Sequence, residues 1–475
     1  MNRKYSPILL AIIVLALTSL ACQALAGAEP AVTQAPQQPD EPQQPSPTET
    51  SPPPAVEPAT VDSKGAGILC VGSTTGLSCL NENGWQLYTD ENSELPNNYL
   101  YSGAVCPDGQ IAITHINGVT LFDGTTFKQI PETTSYSSPE GIACDANGSI
   151  WVAHFQGVSK YSNGQWTTYG SDKLASGESA NELVYDVEVA PDGKVWAVTS
   201  RSVAMFENET WTIFQEGQGF NESRFFNAIA LDAKGRPWVA HSSGLDVFEN
   251  GAWTAIEKTD YSSPESLAID AKGQAWFGTL IDGAYVFDGN TWTHHDRASE
   301  NLRSNDIASI SADSSGRVWF GTTYGLTVFD GANWQTYLMS NSSLHDNDIE
   351  FVVVTNDGPA TLPALEEKAN GSLTGKLEDA DNTPMADMRV EICVETIGLS
   401  FSGDTPCSDQ PFFLTTQTDA NGVFLFENVP AGYYVIVAET DTGWAQLTDQ
   451  FGITSEKTLI QAGEVYDIET LTLEK

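Results

Sequence analysis

Tryptophan recurs along this chain in two columns with a period of about 40 residues. The first column is Trp151, Trp196, Trp238, Trp276 and Trp319, and the second is Trp85, Trp166, Trp211, Trp253, Trp292 and Trp334. Of the 12 tryptophans only Trp444 falls outside them. Cys70 and Ala112 hold the first-column place in the two earliest repeats, and Phe127 replaces a second-column Trp once, so the register runs through seven units. A repeat of this length, made of short apolar runs and Gly-containing turns, cannot bury its own faces and must stack on copies of itself. The expected fold is all-β, a seven-bladed β-propeller over residues 65–363 followed by a β-sandwich over residues 370–475.

The clearest copy parses into four strands, at 307–312, 318–322, 326–329 and 334–337, with a turn after each. Its first turn, Asp313-Ser-Ser-Gly316, recurs as Asp145-Ala-Asn-Gly148, Asp232-Ala-Lys-Gly235 and Asp270-Ala-Lys-Gly273. Asp there can accept from the backbone ahead of it and Gly accepts a positive φ, so regular recurrence favours turn formation over calcium ligation. Each indole buries 150–250 Å², worth about 4–6 kcal/mol as an upper bound, which makes the columns packing between blades before they are stacking platforms for a ligand. The first unit lacks an innermost strand and residues 349–354 supply a surplus one. Pairing the two closes the ring and removes the exposed edge.

The segments Gly316-Arg-Val-Trp319-Phe-Gly-Thr-Thr-Tyr-Gly-Leu-Thr-Val-Phe329-Asp-Gly and Gly273-Gln-Ala-Trp-Phe-Gly-Thr279 resemble the two-component regulator propeller repeat of bacterial extracytoplasmic sensor domains. That resemblance implies a ligand-binding scaffold. Residues 364–370 read as a short linker. The stretch from Gly371-Ser-Leu-Thr-Gly375 through Thr418-Asp-Ala-Asn-Gly422-Val-Phe424-Leu-Phe426 to Gly432-Tyr433-Tyr-Val-Ile-Val437 resembles the carboxypeptidase regulatory-like domain. That family is a transthyretin-like sandwich and implies no catalysis. Alternating apolar and polar residues at 423–426 and 433–437 point independently to half-buried strands.

The amino-terminal end reads as a signal. Met-Asn-Arg-Lys leads into an apolar run at 8–20, too short for a comfortable membrane span. The run ends Leu17-Thr18-Ser19-Leu20-Ala21-Cys22, which resembles a lipoprotein lipobox over residues 1–22 and implies acylation of Cys22 and a membrane lipid anchor. Cleavage after Ala24-Leu25-Ala26 is the competing reading and would release a secreted protein. Residues 23–64, rich in Pro, Gln, Thr and Glu, read as a disordered linker that could hold the ring up to roughly 100 Å from a membrane.

Net charge is −42, from 63 acidic and 21 basic residues, which argues against a nucleic-acid partner. Apart from Cys22 there are six cysteines. Cys70 and Cys79 would face each other on a hairpin, Cys393 and Cys407 would clip a loop, and Cys106 and Cys144 are either paired or buried thiols. His115, His154 and His241 all take the place of Thr322. Neutral histidines standing in for a structural Thr are the simpler reading and a metal site the alternative. No cofactor is implied.

By propeller geometry the loops leading into each innermost strand share one face with the hairpins after each Trp strand. Variable loops on a rigid scaffold are the default place for recognition. Asn98, Tyr99, Glu182, Arg224, Phe225, Asn305, Asp306, Asn347 and Asp348 stand there, a set suited to a glycan, a peptide or a surface protein. Tyr136-Ser-Ser-Pro-Glu140 recurs as Tyr261-Ser-Ser-Pro-Glu265, more simply a duplicated loop than a duplicated site. No G-x-S-x-G, H-E-x-x-H or P-loop is present, so noncatalytic binding is expected ahead of a carbohydrate-active enzyme or lyase, or a structural scaffold.

Overall fold

The structure, a computed structural model, describes residues 68–81, 84–131, 139–175, 183–220, 224–258, 261–299, 301–355, 358–394, 405–408, 410–441, 443–447 and 457–473. Cys22, the signal-like start and the Pro-rich stretch lie outside these residues, as does Glu182.

From Leu69 to Val354 the chain forms antiparallel sheets of four strands each, one of them extended by a short fifth strand, Gly219–Phe220. The best-patterned repeat gives Ile307–Ala312, Val318–Thr322, Gly325–Phe329 and Trp334–Tyr337. Among the described residues there are seven such sheets, and their innermost strands neighbour one another in an unbroken cycle: Leu100–Val105, Pro139–Cys144, Val184–Val189, Phe226–Leu231, Pro264–Ile269, Ile307–Ala312 and Phe351–Val354. The last completes blade one, pairing Phe351 with Gly72 and Val354 with Leu69. Thr355 N–H donates to Ile68 O, and Ile68 N–H to Thr355 Oγ1, both at 2.9 Å, which carries the seam one residue further. The architecture is that of a closed β-propeller.

First-column rings are buried: Trp151, Trp196, Trp276 and Trp319 expose 2% or less of their surface. Each reaches into the following blade. Trp196 of blade four meets Phe248 and Trp253 of blade five at 5.1 and 6.0 Å between ring centres, and Trp276 of blade six meets Phe320 and Trp334 of blade seven at 5.6 and 6.4 Å. The second-column rings are half-buried and close the outer side of the same layer.

The turn aspartates do more than turn the chain. Asp232, Asp270 and Asp313 each accept two backbone N–H groups on Oδ1, at 2.9–3.0 Å, and the indole N–H of the Trp six residues on, at 3.1–3.2 Å, on Oδ2. The glycine closing each turn has φ between 73° and 88°, a region that L side chains avoid. Turn and buried ring are thus clamped by a single carboxylate. Cys70 is disulfide-bonded to Cys79, Cys106 to Cys144, and Cys393 to Cys407.

Beyond the ring, Gly371–Asp379 lies between Val423–Val429 and Val465–Leu473, and this sheet packs on a second one of Phe413–Gln417, Arg389–Cys393, Gly432–Thr440 and Gly443–Gln446. Gly371–Asp379 alternates strictly between buried and half-buried residues, as a strand with one covered face must. Leu373, Leu377, Ile392, Phe424, Phe426 and Tyr434 form the core. The sandwich does not hang free on a linker. Gln335 and Tyr337 donate to the Pro363 carbonyl at 3.0 Å, Glu366 N–H donates to Asn341 O at 2.7 Å, and Lys368 Nζ donates to Met339 O at 3.0 Å, strapping 363–368 along blade seven.

Candidate functional site

One face of the ring carries the hairpin tips and the lead-in loops, and the two are stitched together. Leu100 N–H donates to Ser73 O at 3.2 Å, Phe226 N–H to Ser200 O at 3.0 Å, Gly283 N–H to Asn305 O at 2.9 Å, and Ile349 N–H to Thr322 O at 3.0 Å. In each case a hairpin tip holds the loop that leads into the next innermost strand.

Three residues expected to meet a ligand instead brace their own loops. Asn98, Asn305 and Asn347 each accept, on the side-chain oxygen, the N–H of the residue eight positions earlier, Asp90, Arg297 and Met339, at 2.7–2.8 Å. Leu95, Leu302 and Leu344 plug the same loops and expose 2–3%. A buried plug and one closing amide explain how long loops stay ordered. The signal was in the sequence, as Asn92-Ser93-Glu-Leu95-Pro-Asn-Asn98 and Asn341-Ser342-Ser-Leu344-His-Asp-Asn347 share their spacing, and it marks loop structure.

Arg224 is likewise engaged within the chain. It is 7% exposed, and its Nη1 lies 2.8 Å from His241 Nε2 and 3.3 Å from Asp246 Oδ2. A guanidinium buried against a carboxylate is held in place by its partner. The histidines do the work of Thr322. Thr322 Oγ1 accepts the turn N–H of Tyr324 at 3.0 Å, and Nδ1 of His115, His154 and His241 accepts the N–H of Asn117, Gln156 and Ser243 at 3.1–3.2 Å. Nε2 of His115 and of His154 meets Thr120 Oγ1 and Ser159 Oγ at 2.8 Å. Burial pushes His115 down to about 4 and lowers His154, so both are neutral at pH 7.

The sandwich occupies the blade-seven sector of this face. Tyr324, at the hairpin tip, lies in the sandwich core, stacked on Phe412 with ring centres 6.3 Å apart, and Phe412 in turn meets Tyr434 at 5.5 Å. Gly432 makes the approach feasible: a Cβ there would stand 3.0 Å from Asn347 Nδ2. Lys457 Nζ sits 2.7 Å from Asp348 Oδ2, so Asp348 is already paired with an ammonium of its own chain. Asp346, buried beneath it, accepts from Thr75 Oγ1 at 2.8 Å and is pushed up to about 6, chiefly by burial and then by Asp348.

Tyr99, Phe225 and Asp306 remain on the open part of the face or at its margin. Tyr99 is half-buried, its phenol raised by burial and by its neighbours Tyr101, Glu350 and Asp348. Tyr101 is raised likewise by burial and by Glu140 and Glu350. Phe225 is 38% exposed with the Arg201 guanidinium 5.3 Å from its ring centre. The Asp306 backbone carbonyl accepts from Thr323 N–H at 3.4 Å. Tyr261 of the repeated Tyr-Ser-Ser-Pro-Glu is half-buried against Phe277 and Tyr285 and bonded to the backbone of His241 and Gly244, which gives that copy a structural role; Tyr136 lies outside the described residues.

Sequence reasoning missed the axis. Asp186 and Glu188 stand on the innermost strand of blade four, where the ring's other innermost strands carry Ala, Ser, Gly, Val or Phe. Asp186 accepts Val187 N–H at 2.8 Å and, across to blade five, Ile229 N–H at 3.1 Å. Both keep some surface open, yet protein encloses them. That enclosure pushes Asp186 up to about 7 and, with Asp186 beside it, Glu188 up to about 8. Their signal was an Asp-x-Glu in a strand whose counterparts are apolar or small.

Residues 301–324, leading into and through the first strands of blade seven, match the family described as Two component regulator propeller. No curated protein matches the chain. Among solved structures it is similar to a virginiamycin B lyase from Staphylococcus aureus at 16% identity, over 55% of this chain and 93% of that one, with a TM-score of 0.44. It is similar too to the extracellular domain of a hybrid two component system from B. thetaiotaomicron, at 15% identity over 84% of this chain and 60% of that one, TM-score 0.41. A third is PorZ, a surface component of the type-IX secretion system of Porphyromonas gingivalis, at 13% identity over 82% and 63%, TM-score 0.43.

Proposed function

We propose that this is a noncatalytic binding protein of the extracytoplasmic surface, which captures a glycan or peptide on the loop face of its propeller. The observation that carries the reading is where the ring exposes large apolar side chains. Among the described residues of the ring, four of the five such side chains, Ile116, Phe155, Phe225 and Ile281, lie on hairpin tips or lead-in loops of that one face. Apolar groups exposed on the loops of one face of a rigid scaffold support recognition there. The test is a glycan array and a peptide array with the natural protein and with Phe225→Ala and Tyr99→Ala. Binding that both substitutions leave untouched, or no binding at all, sinks the reading. Anchoring through an acylated Cys22 is part of the same proposal, and mass spectrometry of the mature amino terminus decides between it and release after Ala26.

A further inference from the structure

We propose that the open sectors of the loop face take a basic, apolar segment of a partner polypeptide, through the same two contacts with which blade seven holds its own sandwich. This rests on the binding role just proposed and narrows it from glycan or peptide to a cationic peptide.

Blade seven shows what the face does with a protein surface. Its hairpin tip offers Tyr324, which is 7% exposed because Phe412 and the sandwich core cover it. The loop that runs from it into blade one offers Asp348, which takes the Lys457 ammonium at 2.7 Å. An apolar cover on the tip and an ammonium on the carboxylate are the two elements of the contact.

The apolar element continues around the ring. The tips of blades two, three and six carry Ile116, Phe155 and Ile281, exposed by 50%, 47% and 57%, and the loop into blade five carries Phe225. None of these is covered as Tyr324 is. Toward the axis, Glu140 is exposed and Glu350 half-buried, and after burial these two carboxylates help to raise the Tyr101 phenol. Phenol faces beside carboxylates suit an alkylammonium, which gains from the ring quadrupole and from the negative charge together. The chain as a whole carries −42, so a basic partner is drawn in and an acidic one repelled. A neutral glycan would use the aromatic groups but not the charge.

The test uses the full chain and three synthetic peptides, alternating Lys with Phe, Lys with Ser and Glu with Phe, followed by fluorescence anisotropy at about 50 and 300 mM salt. The Lys/Phe peptide is expected to bind, to weaken with salt, and to bind about tenfold more tightly than either control. The double variant Phe155→Ser, Ile281→Ser keeps the net charge and removes two uncovered tips, so it separates the rim from diffuse attraction. It should lose about tenfold in affinity with an unchanged melting temperature. Equal binding to the double variant, or to the Lys/Ser peptide, means general attraction to an acidic protein and overturns the inference. Binding to glycans but not to peptides, lost in the double variant, overturns it too while leaving the proposed function standing. No rim-dependent binding of either kind removes both.

Discussion

On the turn face, blades five, six and seven repeat one clamp nearly atom for atom, whereas on the loop face blades two, six-to-seven and seven-to-one share a loop brace but differ in what they present outward. Each clamp joins a carboxylate, two backbone N–H groups and a buried indole within 2.9–3.2 Å. The loop face keeps its Asn braces and its tip-to-loop bonds, then places Ile, Phe or Tyr at the tips. The difference teaches where each kind of residue is constrained. A group that satisfies a buried donor has no freedom to change, and one that projects from a braced loop does.

Blade three shows the clamp incomplete. Asp145 holds its turn by accepting Asn147 and Ser149 N–H at 2.9 Å, yet the Trp151 indole N–H finds no protein acceptor among the described residues. In blade four Ala190 stands in the place of the clamp Asp, and Asp192 two positions on serves Lys194.

Removing the ring itself should be the severest blow. Trp319→Ala, at a site with 0% exposure, is expected to cost about 3–5 kcal/mol in chemical denaturation, and a loss below about 1 kcal/mol would mean that the columns do not carry the packing. Next in size is the clamp. Asp313→Ala strips the turn, the Trp319 indole and Arg317 of one shared acceptor and should cost about 2–4 kcal/mol, against about 1 kcal/mol for Asp145→Ala, where no indole is served. Equal losses would break the distinction between complete and incomplete clamps.

Smaller effects follow pH, and they run in opposite directions. Glu188 is raised in the folded state, so it binds a proton there that the unfolded chain has given up, and stability falls as pH rises from about 4.5 to about 8. Glu188→Gln should remove that slope, so that its advantage in melting temperature over the natural protein is greater at pH 8 than at pH 5. His115 is lowered by burial; stability is full above its unfolded value of 6.5 and is lost as pH falls from there to about 4. His115→Thr keeps the turn acceptor that Thr322 exemplifies and should flatten the acid limb, an outcome read in melts between pH 7 and pH 4. Last comes the exposed end of the scale. Lys457→Ala breaks a partly exposed pair and should change stability by no more than about 1 kcal/mol. Tyr324→Ala should loosen the sandwich far more, seen as faster proteolysis between ring and sandwich.

The strand plan was legible because its period is coarse and its punctuation strong. The four strands of the repeat ending at Tyr337 fall within one residue of where their apolar runs and Asp-x-x-Gly turns put them, and residues 351–354 close the first blade. The histidine and aspartate positions were legible as well, since recurrence at one place in the repeat points to a structural task. The candidate site was legible only as a face. Arg224 and Asn98 look like ligand-binding residues by type, and nothing local announces that Asp246 and the Asp90 N–H already hold them.

Sequence by itself determined the all-β repeat, its register and the turn chemistry, because these depend on contacts within some 40 residues and on a pattern that averages over many copies. Only the tertiary structure decided which face residues stay open, that the sandwich takes the blade-seven sector through Tyr324 and Lys457, and that Asp186 and Glu188 are enclosed at the axis. Those outcomes depend on which surfaces meet across the ring, and burial, the quantity that sets both availability and charge, is a property of the assembled neighbours and not of the residue.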